Sequence, residues 1–268
     1  MATYYIATTG NDSTGNGSSS TPWLTLSKAY TSSTTGDTII VKDGTYTFAT
    51  ATMSNRTIQA ANNGLAIFDG ASATALWTLS NMALTGLVFQ NFSYNSGNAG
   101  LFSFGASVSF SNCIFKSLTV GTSYRASLFY TLTASSTLTL TSCVIYAITS
   151  SGGGGGLFDV FNSPSGVSIA LTGVVVYGSV TGSSRLAFIF QLTGSPTIAV
   201  KNSIFNNASG GTCTWGGGNT ATYTCCYNLT SGPTGTGVIT SDPLFVDAAG
   251  GNFRLRPTSP CLNTGSAV

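Results

Sequence analysis

TLTLTSCVI (Thr137–Ile145) alternates threonine with leucine and then passes through a small polar residue into a second apolar run. Four other stretches repeat this pattern: NMALTGLVF (81–89), SVSFSNCIF (107–115), SIALTGVVV (168–176) and TIAVKNSIF (197–205). In chain order, the five copies begin 26, 30, 31 and 29 residues apart, a spacing typical of one coil of a solenoid. This internal repetition decides the fold.

The alternation within each copy predicts which side chains face inward. Since side chains alternate between the two faces of a strand, the apolar positions two and four predict an interior, and positions one, three and five predict an outer face. The predicted interior residues are Met82, Leu84, Val108, Phe110, Leu138, Leu140, Ile169, Leu171, Ile198 and Val200. The hydroxyl-bearing outer residues of four copies form a candidate docking face: Ser107, Ser109, Ser111, Thr137, Thr139, Thr141, Ser168, Thr172 and Thr197.

A further apolar unit precedes each copy, namely LWTL (76–79), LFSF (101–104), LFYT (128–131), LFDV (157–160) and FIFQ (188–191). Each coil therefore has about three short strands separated by Gly, Ser and Asn turns, which predicts a parallel β-helix. An immunoglobulin-like sandwich is the alternative, but sandwich strands do not share one position-by-position pattern. We expect a single domain with an N-terminal cap and first strands (1–50), repeat coils (51–232) and a closing segment (233–268).

The N-terminal region carries the signals of a short capping helix. Thr21 is the candidate N-cap, Pro22 suits the first helical position, and the segment ends at Gly36. The following stretch DTIIVKDGTY (37–46) predicts strand, turn and strand.

Both ends of the chain resemble a known superfamily. YYIATTGNDSTGNGSSSTPWLTLSKAY followed by GDTIIVKDGTYTF resembles the N-terminal signature of the pectate-lyase-like, right-handed parallel β-helix proteins, and DPLFVDAAGGNFRLRPTSPCLN (242–263) resembles their closing motif. The resemblance implies an all-β, single-stranded right-handed parallel β-helix. That superfamily includes lyases, hydrolases, adhesins and bacteriophage structural proteins, so fold alone does not assign a function.

Charge is scarce. Only 6% of the residues are charged, against about 25% in an ordinary globular protein. The nine basic residues do not cluster, so we expect neither nucleic acid nor a membrane as a partner. Without histidine or a CxxC pair, no metal and no cofactor is expected. No run approaches the ~18 apolar residues of a membrane span, and MATYYIATTG lacks secretory-signal features. Either a signal was removed and a methionine added back, or the protein is made without export, which is the simpler interpretation.

Acidic residues are too few for a convincing active site. The seven acids are all aspartates, and only Asp69 and Asp159 lie in the repeats, about three coils apart. At a rise near 4.8 Å per rung their separation is roughly 14 Å, beyond the ~5–9.5 Å used by glycosidases. We predict a surface ion pair between Asp159 and Arg185, and we expect no catalytic residues. Turn or cap hydrogen bonding is predicted for Asp37, Asp43, Asp242 and Asp247.

Six cysteines are present, at positions 113, 143, 213, 225, 226 and 261. Buried thiols are the simplest interpretation for a chain of this length, because it does not need a disulfide framework to fold. Spacing does not give a pairing, and Cys213 with Cys225 or Cys226 is the first pair to test.

These features together predict a non-catalytic structural protein of a virus particle, a bacteriophage capsid-decoration or tail and fibre component that docks through its flat, uncharged face. The start MATYY…TTGND resembles β-helix proteins of bacteriophages, which implies a virion location after synthesis in the host cytoplasm. Expected partners are other virion proteins, further copies of the chain, for instance in a trimer, and a host-surface glycan. The alternative is a secreted or surface carbohydrate-binding or carbohydrate-degrading β-helix protein, located outside the cell. An ice-binding protein is the third hypothesis.

Overall fold

Parallel strands follow the predicted repeats. The computed structural model describes residues 1–71, 76–94, 99–120, 126–131, 133, 135–150, 158–160, 166–180, 190–192, 196–212, 220–230 and 233–266. In these ranges, each repeat contributes strands that pair in parallel with those of the preceding and following repeats.

The elements run in chain order as follows. The N-terminal region contains β1 (Thr3–Ile6), α1 (Leu26–Ser32), β2 (Thr38–Val41), β3 (Gly44–Thr47), β4 (Ala51–Ala60) and β5 (Ala66–Asp69). The central coils contain β6 (Trp77–Thr85), β7 (Leu87–Tyr94), β8 (Ala99–Phe104), β9 (Val108–Ser111), β10 (Ile114–Val120), β11 (Ala126–Thr131), β12 (Thr137–Thr141), β13 (Val144–Ser150), β14 (Phe158–Val160), β15 (Ser168–Thr172), β16 (Val175–Val180), β17 (Phe190–Leu192), β18 (Thr197–Lys201), β19 (Ile204–Thr212), β20 (Thr220–Thr222) and β21 (Cys225–Thr230). The chain ends with β22 (Phe245–Asp247) and β23 (Asn252–Leu255).

The strands stack in three columns, one strand of each column per coil. The first column contains β8, β11, β14 and β17, and the second contains β9, β12, β15, β18 and β20. Both belong to one 13-stranded sheet, because β6 pairs with β8 through its first half and with β9 through its second half. The third column is an 8-stranded sheet of β3, β5, β7, β10, β13, β16, β19 and β21. The predicted parallel β-helix with about three strands per coil is confirmed.

The predicted interior is confirmed residue by residue. All ten predicted interior side chains are between 0 and 3% exposed, and Leu138 pairs in register with Val108 on one side and Ile169 on the other. The preceding apolar unit is shifted by one residue in the fifth copy. There Phe158 pairs with Phe190 and Val160 with Leu192, one residue later along the chain than predicted.

Aromatic rings add a stack within the third column. The Phe68 and Phe89 ring centroids lie 5.8 Å apart and those of Phe89 and Phe115 lie 5.3 Å apart, with nearly parallel planes. All three side chains are at most 1% exposed, so each contributes a large buried apolar surface as well as a favourable ring contact.

The small residues between the second and third columns are explained by backbone geometry. Asn112, Ser142 and Asn202 have φ values of 53°, 52° and 50°, and Gly173 has 63° at the matching place of its coil. Asparagine and glycine tolerate this left-handed conformation better than bulky or β-branched residues do. Each coil therefore turns sharply at this point from the second column into the third.

The capping helix begins four residues later than predicted. Thr25 is the N-cap, and its hydroxyl accepts the backbone N–H of Lys28. Thr21 and Pro22 are not helical, because neighbouring Trp23 pairs with β1: its N–H donates to the Tyr5 carbonyl, and its own carbonyl accepts from Ala7. Within the described residues, no helix is long and apolar enough to cross a membrane.

The chain beyond the last coil first continues the stack and then folds back along its side. Ile239 forms a parallel bridge with Cys225, adding one more partial rung. The antiparallel hairpin of β22 and β23 then packs on the outer face of the third column, with the Phe253 ring 5.2 Å from Tyr146 and 5.9 Å from Tyr177. From here on, the closing segment means residues 242–266, the folded-back part of the predicted range 233–268. It covers part of the outer face of the third column in addition to following the last coil of the β-helix.

Candidate functional site

The nine residues of the candidate docking face lie together on the outside of the second column. Thr137, Ser168 and Thr197 pair in one row, Ser109 and Thr139 in a second, and Ser111, Thr141 and Thr172 in a third. Ser107 directly precedes β9 at the end of the first row. Ser107 and Thr197 are exposed, and the other seven are partly exposed. The rows are interrupted by Ala83, Ala170 and Ala199, which share the row of Ser109 and Thr139.

A shallow groove of about 520 Å³ crosses this face over four successive rungs. Thr137 and Thr139 lie at one end, and Met1 and Gly36 lie at the other. Between them the described lining consists mainly of small polar side chains and one alanine: Asn55, Thr57, Asn81, Ala83, Ser107 and Ser109. We call this feature the polar groove.

Sequence analysis missed the N-terminal part of the polar groove. Asn55 and Thr57 belong to β4, which pairs with β6 although its sequence was not among the five aligned copies. The alternation of Thr57, Ile58 and Gln59 is the signal that places this strand in the same column.

Hydroxyls in the polar groove differ from the buried hydroxyls at the turns between the second and third columns. Among the described residues, the hydroxyls of Thr57, Ser109 and Thr139 make no hydrogen bond within the protein. By contrast, the Ser203 hydroxyl donates to the Lys201 carbonyl at 2.8 Å, and the Thr224 hydroxyl donates to the Thr222 carbonyl at 3.0 Å. The groove hydroxyls are therefore available to water or to a ligand.

Arg56 is the one charged side chain in the described lining, and its guanidinium already donates hydrogen bonds within the protein. Its Nε donates to the Ser33 hydroxyl at 3.0 Å, and its Nη2 donates to the Ser33 carbonyl at 2.8 Å. The guanidinium carbon also lies 5.1 Å from the centre of the Tyr30 ring. Arg56 thus connects β4 to the end of α1, and no other side chain of the described lining is charged.

The aspartates predicted to stabilise turns do so. Asp37 accepts the backbone N–H groups of Ala2 at 2.7 Å and Thr34 at 2.8 Å, while Asp43 accepts from the Asn62 amide. Asp242 and Asp247 accept the N–H groups of Leu244 and Gly250. These carboxylates hold loops together.

Carboxyl pKa values argue against a general acid among the described aspartates. The backbone N–H groups of Ala2 and Thr34 lower the pKa of Asp37. Burial raises the pKa of Asp69, but hydrogen bonds from Gln90, the Ala71 N–H and Asn91 outweigh it and leave the pKa lowered. A glycosidase general acid needs the opposite shift, because it must carry a proton near neutral pH.

The two repeat-region aspartates belong to different columns. Asp69 ends β5 in the third column, whereas Asp159 lies in β14 of the first column. The Asp159 side chain and Arg185 lie outside the described residues, so their predicted ion pair stays a prediction. The described part of the chain also contains no group of three or more metal-ligating side chains.

Five of the six cysteines are described. Cys113, Cys143, Cys225 and Cys226 are buried, as predicted, and Cys261 is partly exposed. Cys213 lies outside the described residues, so its suggested pairing with Cys225 or Cys226 also stays a prediction.

A second cavity, of about 470 Å³, lies beside α1 and was not predicted. Leu26, Tyr30, Met53 and Trp77 contribute to its described lining, together with several threonines and no charged side chain. It shares no lining residue with the polar groove.

Comparisons with known proteins yield structural likeness only. No protein-family model and no curated protein matches the sequence. A rhamnogalacturonan lyase is 14% identical with a TM-score of 0.48, over 85% of this chain and 74% of that one. Pectate lyase Pel9A is 15% identical with a TM-score of 0.46, over 100% and 92% of the two chains. Pectin methylesterase PemA from Erwinia chrysanthemi is 11% identical with a TM-score of 0.39, over 89% and 91%. These likenesses concern the course of the chain, so function is argued from its own residues.

Proposed function

We propose that this β-helix is a non-catalytic protein that binds an extended, neutral carbohydrate chain along the polar groove. The observation that carries the proposal is the set of groove hydroxyls without a hydrogen-bond partner in the described chain, on three of four successive rungs of one column, with Ala83 on the remaining rung. Rungs of a parallel sheet repeat about every 4.8 Å, so these hydroxyls are spaced at multiples of one rung.

The chemistry of these hydroxyls favours a carbohydrate over an apolar protein surface. A hydroxyl buried without a partner costs about 1–3 kcal/mol, so an apolar partner covering Thr57, Ser109 and Thr139 would lose affinity. A polyhydroxylated chain carries donors and acceptors on every unit and can satisfy such groups along its length. The groove's described lining has neither an aromatic ring nor a carboxylate, so each unit should bind weakly. We therefore expect affinity to increase with chain length.

The charge of the groove favours a neutral polymer. Arg56 is held by Ser33 and Tyr30, and the described aspartates lie outside the groove lining. Because the one charged side chain of the described lining already has its donors engaged, binding should depend only weakly on salt.

In the proposed function, the protein binds the carbohydrate chain without cleaving it. The described aspartates are engaged in hydrogen bonds, and those with a shifted pKa have it lowered. The described lining of the polar groove therefore offers no general acid, nucleophile or base for a glycosidase reaction.

Native gel electrophoresis in gels cast with single polysaccharides tests this function. The panel contains neutral glucans, mannans and xylans and, for comparison, the acidic polymers pectate and alginate. We expect at least one neutral polymer to slow the protein equally at low and high salt, with no reducing ends or unsaturated products released. Retardation by acidic polymers alone, or by none, would contradict the proposal. Product release would overturn its non-catalytic part.

A virion component that docks on protein is the second candidate. It is favoured by Ala83, Ala170 and Ala199, which keep part of the face small, flat and uncharged, as suits close approach of another protein. A micrograph locating the chain in a particle would establish this function. Concentration-dependent self-association in sedimentation experiments, lost in Ala170→Arg, would support it. The same alanines interrupt the threonine rows that the ice-binding hypothesis needs.

A further inference from the structure

The neighbouring cysteines 225 and 226 face opposite sides of the third column. Cys226 pairs in register with Phe205, whose side chain fills the interior, whereas Cys225 pairs with Ile204 on the outer side. Since side chains alternate along a strand, only the Cys225 sulfur faces outward.

The Cys225 sulfur meets the chain that runs over this outer side. Its thiol donates to the Ser241 carbonyl at 3.3 Å, and the Cys261 side chain lies next to it. The Cys261 N–H donates to the Ser259 hydroxyl at 3.1 Å, and that hydroxyl donates at 2.6 Å to the carbonyl of Pro243, two residues after Ser241. Ser241 directly precedes the closing segment, and Cys261 lies near its end. Both ends of the segment therefore converge on one sulfur.

We infer that Cys225 and Cys261 form a disulfide when the protein meets a mild thiol oxidant, which closes residues 225–261 into a covalent loop on the third column. The closing segment is otherwise held by the contacts of Phe253 with Tyr146 and Tyr177 and by paired hydrogen bonds between Asn202 and Ser266. The bond would convert a packed segment into a tethered one. This inference is independent of carbohydrate binding.

The two thiols differ in the way that stepwise exchange requires. Cys261 is partly exposed, and the neighbouring Cys225 side chain lowers the pKa of its thiol, which favours the thiolate. With oxidised glutathione, the Cys261 thiolate attacks one sulfur and releases one glutathione thiolate. The Cys225 thiol then loses its proton and attacks the mixed disulfide at the Cys261 sulfur, releasing the second glutathione. The two protein thiols lose two electrons, and oxidised glutathione is reduced to two molecules of glutathione.

A second cysteine pair provides an internal control. Cys113 and Cys143 are also neighbours, at matching places of adjacent coils, but both side chains are 0% exposed and their thiols donate to the Ser111 and Thr141 carbonyls. Oxidised glutathione cannot reach them in the folded protein, so closeness without access should leave them reduced.

The experiment incubates the full reduced chain with oxidised glutathione, alkylates the remaining thiols and identifies cross-linked peptides by mass spectrometry. We expect a link between the peptides holding Cys225 and Cys261, reversible by dithiothreitol, with Cys113 and Cys143 alkylated only after unfolding. The link should persist in Cys226→Ser and be lost in Cys225→Ser and Cys261→Ser.

Thermal unfolding gives a second measurement that does not depend on peptide assignment. Closing a loop of this length should raise the Tm of the oxidised wild type by roughly 5–10 °C over the reduced form. In Cys261→Ser, whose substituted residue is partly exposed, oxidation should not change the Tm. A link through Cys213 or Cys226, or a glutathione adduct on Cys261 without a cross-link, would overturn the inference.

Discussion

The outer faces of the second and third columns arise from the same alternation of side chains. The closing segment covers part of one face, and the polar groove lies open on the other. On the third column, the outward residues include Ile114, Val144 and Val175, and the closing segment packs on the tyrosines beside them. On the second column, the matching positions carry Ser109 and Thr139, and the polar groove lies over them.

The difference shows that the residue types at outward positions determine which face of the solenoid is covered and which stays open. An apolar outward stripe is costly to leave in water, and part of the third column is covered by the protein's own chain. A hydroxyl stripe is stable in water, so it can stay open. We interpret the covered face as structural and the open face as the binding face.

Both faces are built on the same buried interior, so removing a large interior side chain should lower the free energy of unfolding most. Phe89→Ala removes a fully buried ring that contacts Phe68 and Phe115, and we expect the free energy of unfolding to fall by about 3–5 kcal/mol. Urea unfolding measures this change. Thr139→Ala, on the open face, is the control, and a comparable loss there would contradict the division between interior and face.

Removing a side chain that packs on the covered face should lower the free energy of unfolding by an intermediate amount. Phe253→Ala removes the ring that packs on Tyr146, Tyr177 and Phe245, and we expect a loss of about 1–2 kcal/mol. Hydrogen exchange should speed up in residues 242–266 and stay unchanged in the second column. Leu262→Ala in the same segment, at an exposed side chain, should change little. Equal effects of the two substitutions would show that the ring contacts do not hold the segment.

Stability should respond to acid and stay nearly constant from about pH 5 to pH 8, because the chain has no histidine. The folded-state pKa of Asp37 is lowered by the Ala2 and Thr34 N–H groups. Its stabilisation is therefore complete above the unfolded pKa of about 3.9 and is lost as the pH falls through the folded value. Acid titration of thermal stability should be less steep below about pH 4 in Asp37→Asn. An unchanged acid slope would contradict this role.

The open face should be the most tolerant of change. Thr139→Val keeps the shape and removes only a hydroxyl that has no partner in the described chain, so we expect less than about 0.5 kcal/mol of change in the free energy of unfolding. A loss above 1 kcal/mol, on the order of a net internal hydrogen bond, would show that the hydroxyl serves the fold.

The coils were predictable because their information is local. Alternation fixes which of Leu138, Thr139 and Leu140 point inward, and repetition fixes how the strands stack. The start of α1 was not predictable from propensity, because Asp12 accepts the N–H groups of Leu24 and Thr25 from across the N-terminal loop.

The candidate site was only partly predictable, because only part of it is determined by local sequence. The hydroxyl rows follow from the repeats, so the face could be predicted as far as Ser107. Its extension to Thr57 depends on β4 stacking on β6, and the approach of Cys261 to Cys225 depends on the path of the closing segment. These contacts join distant parts of the chain, and no short pattern encodes them.

The most direct test of the open binding face compares two arginine substitutions of outward threonines. Thr139→Arg places a long charged side chain in the polar groove, and Thr45→Arg places the same side chain at an exposed position of β3 in the third column. Dissociation constants are measured by calorimetry for the neutral polysaccharide that retards the wild type. We predict binding at least about tenfold weaker in Thr139→Arg and unchanged in Thr45→Arg. Equal affinity of both folded variants for the polysaccharide would contradict binding along the polar groove.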